Sequence, residues 1–233
     1  MAVLSHPDYD DHEAVVFHRD PESGLAAIVA IHSTALGCGL GGCRVYPYAT
    51  EAEAIADVLR LSRGMTYKAA LAGLKQGGGK SVVLADPRRD KTPAMMRAMG
   101  RLVQSLGGRY VIAEDSGSDE ADMREVARET AYVGGGAAPL NPHDPGDRDT
   151  PAATALGVFY GIQAAARHRL QRTDLQGLRV AIQGVGKVGA VLAQHLHEAG
   201  AQLFVSDVHP PLVEACVQRF DATAVDGARL FDL

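Results

Sequence analysis

The spacing of apolar residues in the first part of the chain changes near Thr50, from short strand-like runs to a helical repeat. Before it, two short apolar runs at residues 14–18 and 25–32 predict strands, and the turn residues between them predict a hairpin. After it, apolar residues recur at helical spacing, which predicts a helix that Thr50 caps with Glu53 as its capping-box partner. This helical pattern extends as far as Lys68.

Strand and helix patterns then alternate as far as residue 130. Thr92 and Pro93 have the residue types that begin a helix, and Gly107 with Gly108 are typical of its end. The predicted elements are a strand at 81–85 after the glycine run 77–79, a helix at 92–106, a strand at 109–113 and a helix at about 119–130.

The second half opens with a stretch rich in Gly, Pro, Asn and Asp at residues 134–149, which is typical of an interdomain linker. The elements predicted after it are a helix at about 151–168, a helix that follows the glycine motif 184–189 and runs to Gly200, a helix from Pro210, and strands at 178–183, 202–206 and 223–226. We therefore predict an α/β fold, with an N-terminal mixed-sheet substrate domain and a partial Rossmann dinucleotide-binding domain. The predicted boundaries are 1–135 for a substrate, catalytic and oligomerisation domain, 136–150 for a hinge and 151–233 for the nucleotide domain.

Composition excludes several classes of function. Apolar residues make up 46% and charged residues 22%, which is globular composition, and the net charge of −5 comes with no basic stripe for nucleic acid. The longest uncharged apolar run is too short to span a membrane, and the acidic N-terminal sequence does not resemble a signal peptide, so we expect a cytoplasmic protein. The three cysteines form no CxxC pair and no HExxH occurs, so we expect no metal site.

A glycine motif follows the predicted strand at 178–183. Gly184, Gly186 and Gly189 form G-x-G-x-x-G at the start of a helix, and Asp207 stands at the end of the next strand. Glycines permit a tight turn and close approach to a pyrophosphate, helix amides bind its charge, and the acid bonds ribose hydroxyls while repelling a 2′-phosphate. The motif, which includes Val185, Lys187 and Val188, therefore predicts NAD binding. A strand–turn–helix that binds nothing is the alternative.

Glycines and lysines are also concentrated in the first half. Gly37, Gly39, Gly41 and Gly42 are expected to form a short loop ending in Arg44. The other unusual residues are Lys68, Lys80 after three glycines, and Asp115 at a predicted strand end. A second ammonium group and desolvation would both lower a lysine pKa toward the range of a base, although each lysine alone is more often a solvated surface residue.

Four segments in this order identify a family resemblance. Residues 39–44, 61–69, 77–81 and 113–115 resemble the glutamate/leucine/phenylalanine/valine dehydrogenases, and leucine dehydrogenases most closely. The resemblance implies oxidative deamination of an L-amino acid to a 2-oxo acid and ammonia, with NAD as the hydride acceptor. It also implies a homo-oligomer, and an active site in the cleft between the two domains.

The resemblance also implies residue roles. Lys68, with Gly41 and Gly42, would bind the substrate carboxylate, Lys80 would be the general base that activates water, and Asp115 would relay protons. A further residue, Thr154, would hold the nicotinamide carboxamide.

Substrate choice follows from three apolar positions. Leu40 stands where the glutamate enzymes carry a lysine for the side-chain carboxylate, and Met65 and Ala113 would line the same pocket. An apolar pocket cannot stabilise a buried carboxylate, so we expect leucine, valine or isoleucine as substrate. Phenylalanine or tryptophan stays open as an alternative, and ordinary core packing is the alternative reading of Leu40 and Met65.

Members of the family continue well beyond Leu233, with a segment that completes the nucleotide-binding sheet. We therefore expect either a fragment of a longer protein or a truncated product with exposed sheet edges. The alternative to an active dehydrogenase is a non-catalytic remnant that binds nucleotide or a full-length relative.

Overall fold

The structure is a computed structural model that describes residues 3–134, 150–230 and 232. Its backbone divides into two compact units, Met1–Asp147 and Arg148–Leu233. The predicted hinge at 136–150 lies almost entirely outside the described residues. None of the helices within the described ranges combines the length and apolar character needed to cross a membrane.

The first unit is built on a mixed sheet of five strands in the order β1-β2-β4-β3-β5. Strand β2 is antiparallel to β1 and β4, whereas β3 runs parallel to both β4 and β5. A 3₁₀ turn at Val3–Ser5 precedes the sheet. The elements are β1 (Ala14–Asp20), β2 (Leu25–Ser33), β3 (Gly39–Tyr46), α1 (Glu51–Leu71), β4 (Gly77–Leu84), α2 (Pro93–Ser105), β5 (Tyr110–Glu114) and α3 (Glu120–Val126).

Helices cover the two faces of this sheet. Strand residues alternate between the faces, so neighbouring apolar positions enter different cores. Helix α1 buries its apolar side on one face, in a cluster formed by Ile28, Ala30, Ala54, Ile55, Val58, Leu59 and Val82. Helices α2 and α3 cover the other face, and their cluster includes Val29, Ile31, Val83, Met96, Met99, Tyr110, Ile112 and Met123. Burial of each such large side chain stabilises the fold by about 1.5–3 kcal/mol.

The helix caps agree closely with the sequence. The Thr50 side chain accepts a hydrogen bond from the Glu53 N–H, and Thr92 caps α2 in the same way. The Glu53 carboxylate, however, accepts from the N–H of Ala49 and not from that of Thr50. The helix predicted to reach residue 130 ends at Val126, because the backbone continues there in tighter turns.

Glycines lie within two strands of the sheet, and for Gly41 and Gly42 this corrects the predicted loop. Gly41 and Gly42 belong to β3, and the glycine run 77–79 begins β4. A Cβ on Gly41 would lie 1.7 Å from the carbonyl oxygen of Gly79, and one on Gly78 would lie 2.1 Å from Oγ1 of Thr66 in α1. Only glycine allows the strands and the helix to approach this closely.

The second unit is a three-stranded parallel sheet in the order β6-β7-β8 with helices between the strands. Leu196, Val205 and Ala193 are fully buried in its core. Its elements are α4 (Thr150–Leu170), β6 (Arg179–Gln183), α5 (Lys187–Glu198), β7 (Gln202–Ser206), α6 (Pro210–Phe220) and β8 (Thr223–Ala224), followed by a 3₁₀ turn at Gly227–Arg229. The mixed sheet and this alternating unit confirm the predicted α/β fold.

Candidate functional site

The chemically distinctive residues of the first unit share one face of the sheet. Gly42 pairs with Ala113 across β3 and β5, and Ala30 pairs with Lys80 across β2 and β4. Ala30 packs against α1, so Lys80 lies on the α1 face. Asp115 follows the last residue of β5, two positions after Ala113, and therefore reaches the same face at the carboxyl ends of the parallel strands.

Lys80 and Asp115 form a buried ion pair. The distance from Lys80 Nζ to Asp115 Oδ1 is 2.9 Å, and the two side chains are 5% and 23% exposed. A Cβ on Gly42 would lie 2.6 Å from the Cβ of Asp115 and 3.2 Å from Lys80 Nζ. Gly42 therefore leaves the space in which the pair forms, and any larger residue there would displace it.

A second cation holds the other oxygen of Asp115. Arg44 Nε donates to Asp115 Oδ2 at 3.0 Å, and its Nη1 donates to Asp57 Oδ2 at 2.9 Å. The Tyr48 hydroxyl donates to the same Asp57 oxygen at 2.6 Å. From the sequence, Arg44 is predicted only as the end of a loop, and neither Asp57 nor Tyr48 is among the predicted site residues. Because side chains alternate along a strand, Arg44 is expected on the same face of the sheet as Gly42. Nothing in the sequence distinguishes Asp57 from the other polar residues of the helix.

Burial and charge shift the pKa values of the ion pair. Burial is the main reason that the pKa of Lys80 lies below its ordinary value, and Arg44 lowers it further against the opposing effect of Asp115. For Asp115, burial favours the neutral form, but the charges and hydrogen bonds of Lys80 and Arg44 together hold its pKa below the ordinary value. The second cation beside Lys80 is thus Arg44, whereas the sequence suggested Lys68.

Lys68 lies apart from this ion pair in the structure. It is exposed in the last turn of α1, two residues beyond Thr66, whose side chain lies against Gly78. Residues two apart on a helix point to different sides. In the described part of the chain no ion pair joins Lys68 to Asp115, so carboxylate binding by Lys68 stays a prediction.

The predicted apolar lining is partly buried. Leu40 lies two positions before Gly42 on the same face, opposite Gly78 in β4 and Val111 in β5. Ala113 and Met65 are half-buried, the latter beside Thr66 on α1. Leu40 and Ala113 thus share the face of the ion pair, in adjacent strands.

A buried hydroxyl pair supports the site from the opposite face of the sheet. The Tyr110 hydroxyl donates to the Gly41 carbonyl at 2.8 Å and lies 3.0 Å from Ser81 Oγ. A Cβ on Gly79 would lie 2.6 Å from the Tyr110 ring. The ring thus fills the space that the glycine leaves and fixes the backbone of β3 next to Gly42.

The glycine motif of the second unit has the geometry of a phosphate-binding turn. Gly184 has φ of +92°, a conformation that favours glycine, and a Cβ on Gly189 would lie 2.0 Å from the Gly184 carbonyl oxygen. Gly186 is the N-cap of α5, with no side-chain capping hydrogen bond, and a Cβ there would meet no atom within 4 Å. The helix start with Lys187 and Val188 is therefore open to a ligand.

Asp207 lies beside this turn, immediately after β7. Its Oδ2 accepts from the Val185 N–H at 2.8 Å and its Oδ1 from the His209 N–H at 2.9 Å. Partial burial opposes ionisation, yet these backbone hydrogen bonds hold the pKa of Asp207 below its ordinary value. Thr154 is exposed on α4 in the same unit.

The turn fits the pyrophosphate of a dinucleotide. The open space at Gly186 admits a ligand, the α5 N-terminus presents amide donors, and Asp207 would offer a carboxylate to ribose hydroxyls. No group of three His, Cys, Asp or Glu side chains suited to a metal ion occurs among the described residues.

Known proteins resemble the chain along almost its whole length. The family model described as the Glu/Leu/Phe/Val dehydrogenase dimerisation domain matches residues 12–132, and that of the Glutamate/Leucine/Phenylalanine/Valine dehydrogenases matches 146–214. Leucine dehydrogenase of Geobacillus stearothermophilus is 48% identical over 97% of this chain and 60% of its own length. Valine dehydrogenase of Streptomyces virginiae is 52% identical over 89% of this chain and 57% of its own length.

Solved structures agree with these relatives. L-tryptophan dehydrogenase from Nostoc punctiforme has a TM-score of 0.65 at 43% identity and covers 96% of this chain and 61% of its own. A hetero-hexameric glutamate dehydrogenase from Thermus thermophilus shares the fold at 22% identity, with a TM-score of 0.69 over 95% of this chain and 57% of its own. The chain thus spans about 60% of the length of the curated relatives it matches. By sequence and by fold, this chain belongs to the glutamate/leucine/phenylalanine/valine dehydrogenase family.

Proposed function

We propose that this protein catalyses NAD-dependent oxidative deamination of an apolar L-amino acid to the 2-oxo acid and ammonia. The observation that carries the proposal is the buried Lys80–Asp115 pair beside Gly42, in a chain of an amino-acid dehydrogenase family. The pair combines a lysine whose pKa is lowered with a carboxylate held in place by two cations. Such a pair suits a reaction in which protons leave water and enter an amine.

The two side chains have complementary tasks in this reaction. Asp115 takes a proton from the substrate ammonium group, which frees the nitrogen lone pair as the α-carbon loses its hydride. Lys80 takes a proton from the water whose oxygen bonds to that carbon. Lys80 passes this first proton to solvent, Asp115 returns its proton to the nitrogen, and the C–N bond breaks as the regenerated Lys80 amine takes the hydroxyl proton and the carbonyl forms. The products are the 2-oxo acid and ammonia, and all atoms of substrate and water are accounted for.

Substrate binding would use the backbone and the end of α1. Lys68 with the amides of Gly41 and Gly42 would hold the carboxylate, as charge-assisted hydrogen bonds do. The hydroxyl of Tyr110 supports this proposal because it bonds the Gly41 carbonyl and thereby holds the backbone of this glycine pair in place.

The second unit would hold the cofactor. Gly184, Gly186 and Gly189 with the α5 amides would bind the pyrophosphate, and Thr154 would bind the carboxamide. NAD supplies the acceptor for the substrate hydride. Asp207 supports NAD over NADP, because an ionised carboxylate at the ribose repels a 2′-phosphate.

Leu40, Met65 and Ala113 support an apolar substrate, as do the relatives named leucine and valine dehydrogenase. The tryptophan dehydrogenase, at 43% identity, favours an aromatic amino acid as the second candidate. One methylene in an apolar pocket changes binding by about 1–3 kcal/mol, so a few lining residues decide between these substrates. We also propose a homo-oligomer, since residues 12–132 match the domain described as the dimerisation domain.

The test is formation of reduced nicotinamide by the purified chain with NAD or NADP. L-leucine, L-valine, L-tryptophan, L-phenylalanine and L-glutamate are compared in parallel, and Lys80→Met serves as the inactive control. We expect turnover with NAD and branched substrates that Lys80→Met abolishes. Turnover on glutamate alone, or equal turnover in Lys80→Met, would contradict the proposal. Absence of turnover on every substrate by a folded chain that binds NAD would favour the non-catalytic alternative.

A further inference from the structure

Arg44 is the charged residue of the site for which the proposed reaction gives no role. It is half-buried in β3, and burial by itself disfavours its charge. Two carboxylates, Asp115 and Asp57, compensate, and together they raise the pKa of Arg44 above its ordinary value. A desolvated guanidinium lowers the stability of the fold unless it is paired. Arg44 is paired on two sides, and its ion pairs have a defined geometry.

That geometry fixes both oxygens of Asp115. Oδ1 lies 2.9 Å from Lys80 Nζ, and Oδ2 lies 3.0 Å from Arg44 Nε. The Asp115 backbone N–H also donates to Ser118 Oγ at 2.9 Å, which holds the chain beside the carboxylate. With one oxygen held by Arg44, the carboxylate keeps its other oxygen directed at Lys80.

Arg44 is itself anchored from α1. Its Nη1 donates to Asp57 Oδ2, and the Tyr48 hydroxyl donates to the same oxygen, at 2.9 and 2.6 Å. Burial, and then hydrogen bonding to Asp57, raise the pKa of Tyr48, so its hydroxyl remains a donor. The planar fork of arginine bonds two carboxylates at once, which a lysine ammonium on a flexible stem does not reproduce.

We infer that Arg44 is a positioning residue for Asp115, and that Asp57 and Tyr48 anchor Arg44 for this task. The inference rests on the proposed deamination for its kinetic consequence, but the orientation and charge of Asp115 can be measured without turnover. Lys80 remains the catalytic partner, and Arg44 acts on the reaction only through the carboxylate. The charged groups that face Asp115 are Lys80 and Arg44, and Arg44 in turn contacts Asp57 beside Tyr48. Cys43 and Tyr110 lie on the opposite side of the sheet and interact with Asp115 only through its electrostatic field.

The first arm of the test is a direct titration. The Asp115 carboxyl carbon is followed by NMR in the chain labelled at aspartate, with its signal assigned by comparison with Asp115→Asn. Arg44→Gln should raise the Asp115 midpoint by about one pH unit, because one of two adjacent positive charges is lost. An unchanged midpoint would overturn the inference, whether or not the chain turns over any amino acid.

The second arm separates charge from position. Arg44→Lys should leave the Asp115 midpoint low, since the charge remains, yet lower kcat about tenfold, since the two-sided hydrogen bonding is lost. Asp57→Asn keeps Arg44 and removes only its anchor, so it should lower kcat with little change in KM while the midpoint stays low. This second variant answers the question if Arg44→Gln does not fold. Full activity in both Arg44→Lys and Asp57→Asn would overturn the positioning role.

The matched control is Arg60→Gln. Arg60 is an exposed guanidinium on α1 that lines the same open cavity of about 560 Å³ as Arg44 and Asp57. Its loss should leave both the midpoint and kcat unchanged. If Arg60→Gln moves the Asp115 midpoint as far as Arg44→Gln does, the effect is general surface charge, and the inference fails. If no variant and no wild-type chain turns over substrate while the midpoint shifts as expected, the proposed function fails and the positioning of Asp115 stands.

Discussion

The two candidate sites of this chain differ in the groups that they offer: one offers buried charged side chains, and the other offers backbone amides. In the first unit the charged side chains of Lys80, Asp115 and Arg44 are largely withdrawn from water and meet on one face of three neighbouring parallel strands. In the second unit the turn at Gly184 offers backbone amides and open space, beside the partly exposed carboxylate of Asp207. Proton transfer needs side chains with shifted pKa values, whereas a phosphate needs only oriented N–H groups.

Glycine has a different task in each site. In the first unit Gly41 and Gly78 are required by contacts within the protein, since added Cβ atoms would overlap a carbonyl oxygen and a threonine. In the second unit Gly189 is required in the same way, but Gly186 faces open space. Packing within the protein does not require glycine at position 186, so the glycine there can serve the approach of a ligand.

The largest effect should come from the ion pair. Asp115→Asn keeps the shape of the side chain but cannot take or return a proton, so kcat should fall about a thousandfold with substrate binding retained. Steady-state kinetics measure kcat and KM, and binding of the substrate alone is measured by calorimetry. Asp20→Asn, which alters a carboxylate paired with Arg101 away from the site, is the control. Near-normal turnover of Asp115→Asn would remove Asp115 from the mechanism.

A matched pair of glycine substitutions in the first unit tests packing. Gly41→Ala should lower the free energy of unfolding by about 3 kcal/mol, because the Cβ would meet the Gly79 carbonyl at 1.7 Å. Gly64→Ala, within α1 and with no atom within 4 Å of its Cβ, should raise it by about 0.5–1 kcal/mol. Urea unfolding, followed by a signal from the first unit, measures the change in the free energy of unfolding for each variant. Equal effects of the same sign would show that the close approach of β3 and β4 is not as described.

Acidic pH should lower the free energy of unfolding of the first unit, because Asp115 becomes protonated. The folded-state pKa of Asp115 lies below its ordinary value of 3.8, so its contribution to stability is complete above that value and is lost as pH falls through the folded pKa. The free energy of unfolding of the wild-type protein should therefore exceed that of Asp115→Asn by about 2 kcal/mol at neutral pH. This difference should shrink below a pH of about 4. Denaturant unfolding of both proteins across this range provides the measurement. A difference that stays constant with pH would contradict the pKa direction.

The smallest effect should separate binding from folding in the second unit. Gly186→Ala should leave the melting temperature unchanged, since its φ of −71° suits alanine and the space is open. It should weaken NAD binding about tenfold, equal to 1.4 kcal/mol, by blocking close approach of the pyrophosphate. Gly189→Ala should instead lower the melting temperature, because its Cβ would meet the Gly184 carbonyl. Unaltered NAD affinity in Gly186→Ala would exclude this turn as the binding site.

Local patterns in the sequence predicted most elements of the fold. The caps at Thr50 and Thr92 and the strand at Gln202–Ser206 are local features, set by side-chain hydrogen bonds and apolar periodicity, and the structure confirms them. Gly41 and Gly42 were predicted to lie in a loop, and the strand that became β4 was predicted to start only after the glycine run 77–79. Strand propensity disfavours glycine, and only the neighbouring helix and strand make it necessary there.

The sequence alone determined the family, the α/β class, and the residue types available for chemistry, because these depend on ordered motifs and on periodicity. Only the tertiary structure decided which of those residues meet. It placed Lys80, Asp115 and Arg44 together and joined Arg44 to Asp57, while Lys68 lies exposed on α1. The reason is that β3, β4 and β5 come from distant parts of the chain, and their pairing and register set the contacts that spacing along the sequence does not encode.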